Sequence, residues 1–198
     1  MDFEDILDLV DNNDLGPDGQ KPEPMRFQGL YDWMQSIVMV FLVVIFLLTF
    51  AGRTMAVEQD SMTPTLLDGD RMIVRSLFYT PDRGDVIVFS RHDFQDGAAM
   101  VKRVIGLAGD VIYVNAESGF VYLNGEPLYE PYTNGLVRVT GDISYPFTVP
   151  EGHVFVIGDN RNRSTDSRDS QIGPVDEREI LGQVVLVIMP FNRFGSLN

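Results

Sequence analysis

The chain has 198 residues, no cysteine and a formal net charge of −14, a length that suits one domain with room for a short appendage. The absence of cysteine excludes a catalytic thiol, a disulfide framework and cysteine-ligated metal sites, and two histidines are too few for a histidine-rich metal site. Because binding to phosphate needs clustered basic residues, the acidic balance argues against a nucleic-acid partner.

The first 32 residues are strongly acidic. They hold nine carboxylates against only Lys21 and Arg26, a net charge of −7, which is half of the charge of the whole chain. Apolar residues at helical spacing between Phe3 and Val10 allow a short amphipathic helix, but the Gly- and Asp-rich residues that follow are typical of a linker. The composition favours a solvated tail over a helix that docks on a partner, and it identifies no partner.

Residues 33–52 contain no charged residue and are rich in Val, Ile, Leu and Phe. As a helix, twenty residues extend about 30 Å, the thickness of the hydrocarbon core of a membrane. Tyr31 and Trp33 stand where interfacial aromatic residues are expected, and Arg53 closes the far end. A cleavable signal peptide has a shorter apolar core and a basic start. The pattern therefore predicts one retained transmembrane helix in contact with lipid, and the flanking charges lean weakly toward a cytoplasmic N-terminus.

Beyond residue 53 the pattern changes to short runs of β-branched and aromatic residues separated by turn signals. Since no amphipathic helix separates these runs, we expect a mainly β, antiparallel domain over residues 53–198. The Asn124-Gly125 pair predicts a hairpin between Val121–Leu123 and Glu126–Leu128. The predicted strands are Arg71–Val74, Asp85–Phe89, Val101–Ile105, Val111–Val114, Phe120–Leu123, Val137–Val139, His153–Ile157 and Val184–Ile188.

Two residues carry the strongest chemical signal: Ser61, in the Pro-containing stretch Ser61–Leu66, and Lys102. The chain has thirteen arginines but only two lysines, and the other one, Lys21, precedes the apolar run. An arginine stays protonated and cannot act as a base, whereas a desolvated lysine can be neutral near neutral pH. The pair predicts a serine nucleophile with a lysine base, although either residue alone is typical of an exposed side chain.

Other catalytic sets fit less well. A Ser-His-Asp triad needs a suitably placed histidine, but His153 begins a predicted core strand and His92 lies in an acidic loop. The Ser-x-x-Lys arrangement is absent because Ser61 is followed by Met62, Thr63 and Pro64. A pair of catalytic carboxylates stays open among so many acidic residues, although no pair stands out.

A third cluster, residues 158–168, directly follows the predicted strand that ends at Ile157. Together with Ser61–Leu66, Arg83–Phe89 and Lys102–Asp110, it resembles in order the four motifs of the type I (leader) signal peptidases, after an N-terminal anchor. The resemblance runs from the anchor nearly to the end of the chain. It implies a mainly antiparallel β catalytic domain with a small β insertion, roughly residues 111–148, and we expect no cofactor and no metal.

By this resemblance, Ser61 is the nucleophile, Lys102 is the general base, and the Ser61 N–H donates to the oxyanion. Ser164 would donate a hydrogen bond that orients the lysine amine. Gln59 stands where the family often has a serine, a threonine or a glycine, so its side-chain amide is the candidate for a second oxyanion donor.

Four charged residues are expected to support the site. Asp159 would pair with Arg103 beside the base, while Asp166 and Arg168 would brace the loop that carries Ser164. Such braces hold geometry without placing a carboxylate on the lysine itself, which would keep the lysine charged.

The resemblance implies a membrane-anchored serine endopeptidase that removes signal peptides from exported preproteins after small residues. The tail would be cytoplasmic, and the catalytic domain would lie outside the cytoplasmic membrane of a bacterium, in a form similar to the Gram-positive enzymes. We expect the substrate to add as an extended strand, with Met62, Leu66, Met100 and Val101 lining shallow pockets.

Two rival interpretations stay in view. A self-cleaving repressor protease shares the Ser-Lys chemistry, but it needs a helix-turn-helix for which the apolar run leaves no room. A non-enzymatic anchored β module has no reason to keep a single lysine between two matching motifs. Cleavage of a preprotein by detergent-solubilised protein separates these interpretations.

Overall fold

A computed structural model describes residues 28–50, 53–91, 94 and 97–197. The chain divides into two compact units, residues 1–46 and 47–198. Helix α1 spans Gln28–Phe50. Among the described ranges, no helix combines the length and the apolarity that crossing a membrane requires. The span predicted at residues 33–52 stays a prediction, and its last two residues, like the acidic tail before residue 28, lie outside the described residues.

The described part of the second unit is mainly β, as predicted. Its strands are antiparallel and short, and turns or irregular segments connect them. The strands are β1 Arg53–Ala56, β2 Arg71–Arg75, β3 Val86–Ser90, β4 Ala99–Gly106, β5 Val111–Asn115, β6 Phe120–Leu123, β7 Glu126–Pro127, β8 Phe147–Thr148, β9 His153–Ile157, β10 Val175–Asp176, β11 Ile180–Met189 and β12 Gly195–Ser196.

The larger sheet has the order β1-β2-β11-β3-β4-β9-β10, and β12 pairs with β11. In β2, Met72 and Val74 are buried while Arg71 and Arg75 are exposed, the alternation expected of a strand with one solvent face. Strand β3 is buried over all four residues of Val86–Phe89, because it lies in the middle of the sheet. Its neighbour β4 is therefore the strand on which a side chain is most easily kept from water.

The smaller sheet has the order β7-β6-β5-β8 and runs from Val111 to Thr148, between β4 and β9 along the chain. The predicted hairpin is confirmed: β6 and β7 pair antiparallel, and Asn124 and Gly125 both have a positive φ, as a two-residue turn of this kind requires. Apolar side chains from both sheets, including Ile112 and Phe155, share one core cluster.

The strand predicted at Val137–Val139 is wrong. The polar groups of this segment bond outside any ladder: the Arg138 N–H donates to Asn162 Oδ1 at 2.8 Å, and the Val139 carbonyl accepts from Arg168 at 2.6 Å. The segment belongs to the long connection between β7 and β8, residues 128–146, which we call the strap. The strap packs on residues 158–170 instead of joining a sheet.

Asp110 ties the smaller sheet to the larger one. Its carboxylate is 5% exposed and accepts from the Arg83 guanidinium at 2.7 and 2.9 Å, from Asn124 Nδ2 at 2.9 Å and from the Leu107 N–H at 2.8 Å. Burial alone would raise the pKa of Asp110, but the hydrogen bonds from Arg83 and Asn124 outweigh it and hold the pKa below its usual value.

We expect Asp110→Ala to lower the free energy of unfolding by about 1–3 kcal/mol, because it leaves partly buried donors without an acceptor. Asp176→Ala is the matched control, since its partner Arg178 is 89% exposed and an exposed ion pair adds little to stability. Urea unfolding of the two variants measures both values. Equal losses would show that Asp110 does not tie the sheets together.

Candidate active site

Ser61 begins a turn between β1 and β2 that is anchored by apolar side chains. Met62 and Leu66, four residues apart, are 1% and 0% exposed in the core of the larger sheet, and the Leu66 N–H donates to the Met62 carbonyl at 3.0 Å. The half-buried Ser61 lines a cavity beside this core. Packing of its neighbours therefore fixes the serine at the cavity wall.

Lys102 lies in β4, opposite Ile87 of β3, and is 5% exposed. Its Nζ lies 2.8 Å from Ser61 Oγ and 3.1 Å from the Val101 carbonyl oxygen. Burial lowers the pKa of Lys102 from 10.5 to about 8; the negative charge of Asp166 raises the pKa by a smaller amount, and the positive charge of Arg168 lowers it further. About a tenth of such a lysine is neutral at pH 7, far more than for an exposed lysine.

The loop at residues 158–168 contacts the turn that begins at Ser61. The Asn160 N–H donates to the Ser61 carbonyl oxygen at 3.0 Å, and Asn160 Nδ2 donates to the Asp60 carbonyl oxygen at 3.0 Å. Asn160 belongs to the motif at residues 158–168, but no role was predicted for it. Its position directly after Gly158 and Asp159 could have indicated these contacts, since short amide side chains bond readily to nearby backbone.

Arg103 and Asp159 are brought together as predicted from the resemblance. Arg103 Nε and Nη2 donate to the two carboxylate oxygens at 2.9 and 2.7 Å, and Asp159 is fully buried. Thr65 also donates to this carboxylate, and Arg103 Nη1 donates to the Gly84 carbonyl. The Arg103–Asp159 pair thus joins the turn that begins at Ser61, strand β4 and the loop at residues 158–168.

Asp166 and Arg168 form a second buried bidentate pair, with Nε–Oδ1 and Nη2–Oδ2 distances of 2.7 and 2.8 Å. Asp166 Oδ2 accepts from the Gly158 N–H at 3.0 Å, and Arg168 Nη1 donates to the Val139 carbonyl. Hydrogen bonds to Asp166 and the surrounding negative charge outweigh burial and raise the pKa of Arg168. The pair braces the loop and connects it to the strap.

Ser164 lies at the site but does not make the predicted hydrogen bond to Lys102. Its Oγ is buried and has no hydrogen-bond partner among the described residues. A methyl group added to Gly158 would come within 2.2 Å of Ser164 Oγ and 2.5 Å of the Ser61 carbonyl oxygen. Ser164 and Ser61 therefore pack against the same glycine.

The cavity, of about 290 Å³, lies between residues 55–59 and residues 98–102. Met62, Met100 and Val101 line it, whereas Leu66 is fully buried in the core and is not among the described lining residues.

Gln59 lines the cavity with a φ of 78°, an uncommon conformation for a residue with a side chain. Its N–H donates to Asp68 Oδ1 at 2.9 Å and so is not available to an oxyanion. The side-chain amide of Gln59 makes no hydrogen bond to the described residues and stays available.

Of the two histidines, His153 lies within the described residues. His153 begins β9, and its Nδ1 lies 2.9 Å from the Glu151 carbonyl oxygen. It is not among the described residues that line the cavity. His92 lies outside the described residues.

A further charged cluster escaped sequence reasoning. Arg161 is fully buried and donates to both oxygens of Glu130 at 2.6 and 2.7 Å. The Tyr132 ring lies 4.0 Å from the Arg103 guanidinium carbon and 5.9 Å from that of Arg161. Glu130 and Tyr132 belong to the strap, whose sequence has no periodic pattern that would predict such contacts.

The chain is similar to known proteins over most of its length. The family model described as signal peptidase, peptidase S26, matches residues 30–189. A signal peptidase I of Bacillus licheniformis is 34% identical over 83% of this chain and 91% of that protein. Signal peptidase IB of Staphylococcus aureus is 34% identical over 83% of this chain and 92% of that protein. A crystal structure of a signal peptidase I from Enterococcus faecalis is 32% identical and covers 54% of this chain and 98% of that chain, with a TM-score of 0.43.

A mainly β domain holds Ser61 and the buried Lys102 at one cavity, an arrangement that a hydrolase of the serine protease class can use. The chain belongs to the signal peptidase family, peptidase S26, and is an enzyme of the signal peptidase I kind. Enzymes of this family are serine proteases that cleave signal peptides.

Gly158→Ala should lower kcat for signal-peptide cleavage about a hundredfold, because the new methyl group must displace Ser61 or Ser164 and misplacement of about 1 Å can cost that much. Gly195→Ala is the control, since nothing lies within 4 Å of its added methyl group. Steady-state kinetics on a preprotein measures the effect. Wild-type turnover by Gly158→Ala would contradict the close packing at this glycine.

Proposed function

We propose that the protein is a membrane-anchored serine endopeptidase in which Ser61 is the nucleophile and Lys102 is the general base. Its substrates are exported preproteins, cut after small residues. The observation that carries the proposal is the 2.8 Å separation of Lys102 Nζ and Ser61 Oγ, at a lysine that is 5% exposed and has a lowered pKa.

In the first step, the neutral Lys102 amine takes the proton of Ser61 as Oγ attacks the scissile carbonyl carbon. The negative charge moves to the carbonyl oxygen, where the Ser61 N–H donates a hydrogen bond. This N–H has no acceptor among the described residues. The protonated amine then gives its proton to the leaving nitrogen of the mature protein, and an acyl-enzyme forms on Ser61.

In the second step, a water molecule attacks the acyl carbonyl and loses its proton to the neutral Lys102 amine. Collapse of the tetrahedral intermediate returns the proton to Ser61 Oγ and releases the signal peptide. One lysine thus serves as base and as acid in both steps, and it must be able to lose its proton near neutral pH.

The surroundings of Lys102 support its role as a base. Its two nearest acidic neighbours in electrostatic effect, Asp166 and Asp159, raise its pKa, but each is held by an arginine in a bidentate pair. No carboxylate of the described residues bonds to Nζ. Burial therefore outweighs these carboxylates and lowers the pKa of Lys102, so that the neutral amine is populated near neutral pH.

The cavity supports a preference for small side chains. Residues 55–59 and 98–102 form its two sides, and a substrate in extended conformation fits between two such segments. Met62 and Met100 line the cavity together with Ser61 and Lys102, so we expect their bulk to limit the size of the side chain that the cavity accepts. We include Gln59 as a second oxyanion donor and Ser164 as the hydroxyl that orients the lysine once substrate has excluded water.

The membrane-anchored location is part of the proposal and rests on the sequence. Residues 33–52 carry no charge, and the described side chains of α1 include exposed apolar residues such as Val40 and Phe41. An apolar helix of this kind needs lipid or another protein around it. Enzymes of this family are typically membrane-associated. We place the N-terminal tail in the cytoplasm and the catalytic domain outside the bacterial cytoplasmic membrane.

Lys102→Arg and Lys102→Met should each lower kcat by at least about 10²–10⁴-fold, because neither supplies a usable base. Ser61→Ala should be equally inactive. His153→Ala is the control and should retain turnover. Preprotein cleavage by the purified variants, with circular dichroism to confirm folding, is the measurement. A folded Lys102→Arg enzyme with near-normal turnover would contradict the proposal. A folded but inactive His153→Ala enzyme would indicate a histidine base.

The pH dependence follows from the lowered pKa of Lys102. Below about pH 8 the neutral amine should become tenfold rarer per pH unit, so kcat/KM should fall with a slope of one on the acid side. Lysine labelled with ¹³C at Cε gives a direct measurement, since the chain has only two lysines. The Lys102 signal, identified by its loss in Lys102→Arg, should titrate near 8. A Lys102 signal that titrates near the usual lysine value of about 10.4 would contradict the assigned base.

A further inference from the structure

Asn160 contacts both peptide groups that flank Ser61. Its side-chain Nδ2 donates to the Asp60 carbonyl oxygen and its backbone N–H donates to the Ser61 carbonyl oxygen, each at 3.0 Å. Asn160 is 7% exposed, so water does not compete readily for these bonds. One residue therefore holds two successive peptide planes on either side of the serine.

The first of these planes carries the Ser61 N–H. In a trans peptide the carbonyl and the N–H of the same plane point in opposite directions. A donor fixed on the Asp60 carbonyl consequently fixes the direction of the Ser61 N–H. The Asp60 carbonyl also accepts from the Thr63 N–H at 3.1 Å, which leaves its plane little freedom to rotate.

The orientation of the Asn160 amide is supported from the strap. Asn134 Nδ2 donates to Asn160 Oδ1 at 2.9 Å. With Asn160 reversed, its Oδ1 would face the Asp60 carbonyl oxygen, so two acceptors would oppose each other. The Asp60 carbonyl therefore selects the orientation of the amide, and the hydrogen bond from Asn134 stabilises that orientation.

The strap itself is fastened close to Asn134. Glu130 accepts from the buried Arg161 at 2.6 and 2.7 Å on one side. On the other side, Asn162 Nδ2 donates to the Leu136 carbonyl at 3.0 Å. Asn134 thus has a fixed backbone position from which to reach Asn160.

We propose that Asn160 is a positioning residue that holds the oxyanion donor of Ser61 toward the substrate, and that Asn134 of the strap stabilises the orientation of its amide. This inference rests on the proposed function, since it needs Ser61 as the nucleophile. It assigns the insertion a part in turnover: the strap determines how well the enzyme stabilises the transition state.

The first test compares Asn160→Asp and Asn160→Ala with the wild-type enzyme on a preprotein substrate. Asn160→Asp keeps the shape and the backbone N–H but places an acceptor against the Asp60 carbonyl. Loss of a whole oxyanion donor costs about 10²–10³-fold in kcat, and loss of its orientation should cost less, about 10- to 100-fold. KM should change by less than about threefold, because the donor acts in the transition state.

The pH profile separates this role from one on the base. Asn160→Ala changes no charge, so the acid limb of kcat/KM should keep its midpoint while the plateau falls. A shifted midpoint would show that Asn160 acts through Lys102 and would overturn the proposal.

Asp142→Ala is the matched control. It removes two hydrogen bonds between the strap and Ser170, away from Asn134, and Asp142 bonds to neither Asp60 nor Ser61. It should reduce the midpoint of thermal unfolding and leave kcat within about threefold of wild type. A loss of kcat equal to that of Asn160→Ala would show that the loop acts only through its overall packing.

Asn134→Asp tests the proposal if the Asn160 variants fail to fold. Asn134 is exposed, so we expect this variant to fold. Its carboxylate can only accept, so Asn160 must turn its Nδ2 away from Asp60. We expect a kcat loss close to that of Asn160→Ala, a smaller one for Asn134→Ala, and no further loss when Asn134→Asp is added to Asn160→Ala. Unchanged kcat in Asn134→Asp would overturn the proposal.

Ser61→Ala distinguishes this inference from the function on which it depends. An active Ser61→Ala enzyme would remove the proposed function and the inference together. An inactive Ser61→Ala enzyme beside an Asn160→Asp enzyme of normal kcat would remove the inference alone.

Discussion

The site depends on keeping the Lys102 amine out of water while leaving it in contact with Ser61. An amine that is 5% exposed and 2.8 Å from a hydroxyl can exchange a proton at neutral pH only because its charged form is poorly solvated. For the proposed base, this requirement fits the position of Lys102 on β4, between β3 and β9 in the larger sheet. It also fits the pairing of the nearby Asp159 and Asp166 carboxylates with arginines and not with the amine.

Buried ion pairs are costly in themselves, because desolvation offsets much of the attraction. Their use here is geometric. The Arg103–Asp159 and Arg168–Asp166 pairs are each bidentate and fix a loop whose backbone would otherwise have many conformations. The loop then holds the nucleophile turn through Asn160. Stability and positioning are thus supplied by different parts of one network.

Local patterns predicted those features that local chemistry determines. Alternating β-branched runs predicted the antiparallel strands, and Asn124-Gly125 predicted its hairpin, because each depends on a few adjacent residues. The scarcity of lysine directed attention to Lys102. By contrast, Glu130 bonds to Arg161, 31 positions further along the chain. Glu130 lies in a segment without regular structure, so no periodic pattern in the sequence predicts this contact. Leu66 was misjudged because burial in a core and exposure to a pocket have the same hydrophobic signal.

The place of β11 in the larger sheet has a consequence for the order of assembly. This strand, Ile180–Met189, lies between β2 and β3, although it follows them by about a hundred residues along the chain. Until it has been synthesised, β2 lacks the strand that joins it to β3 in the larger sheet. Ser61 precedes β2 and Lys102 lies on β4, the neighbour of β3, so the sheet that holds both residues is complete only after β11 has joined it. A nascent chain that ends before Ile180 therefore carries both residues in a sheet that is still divided.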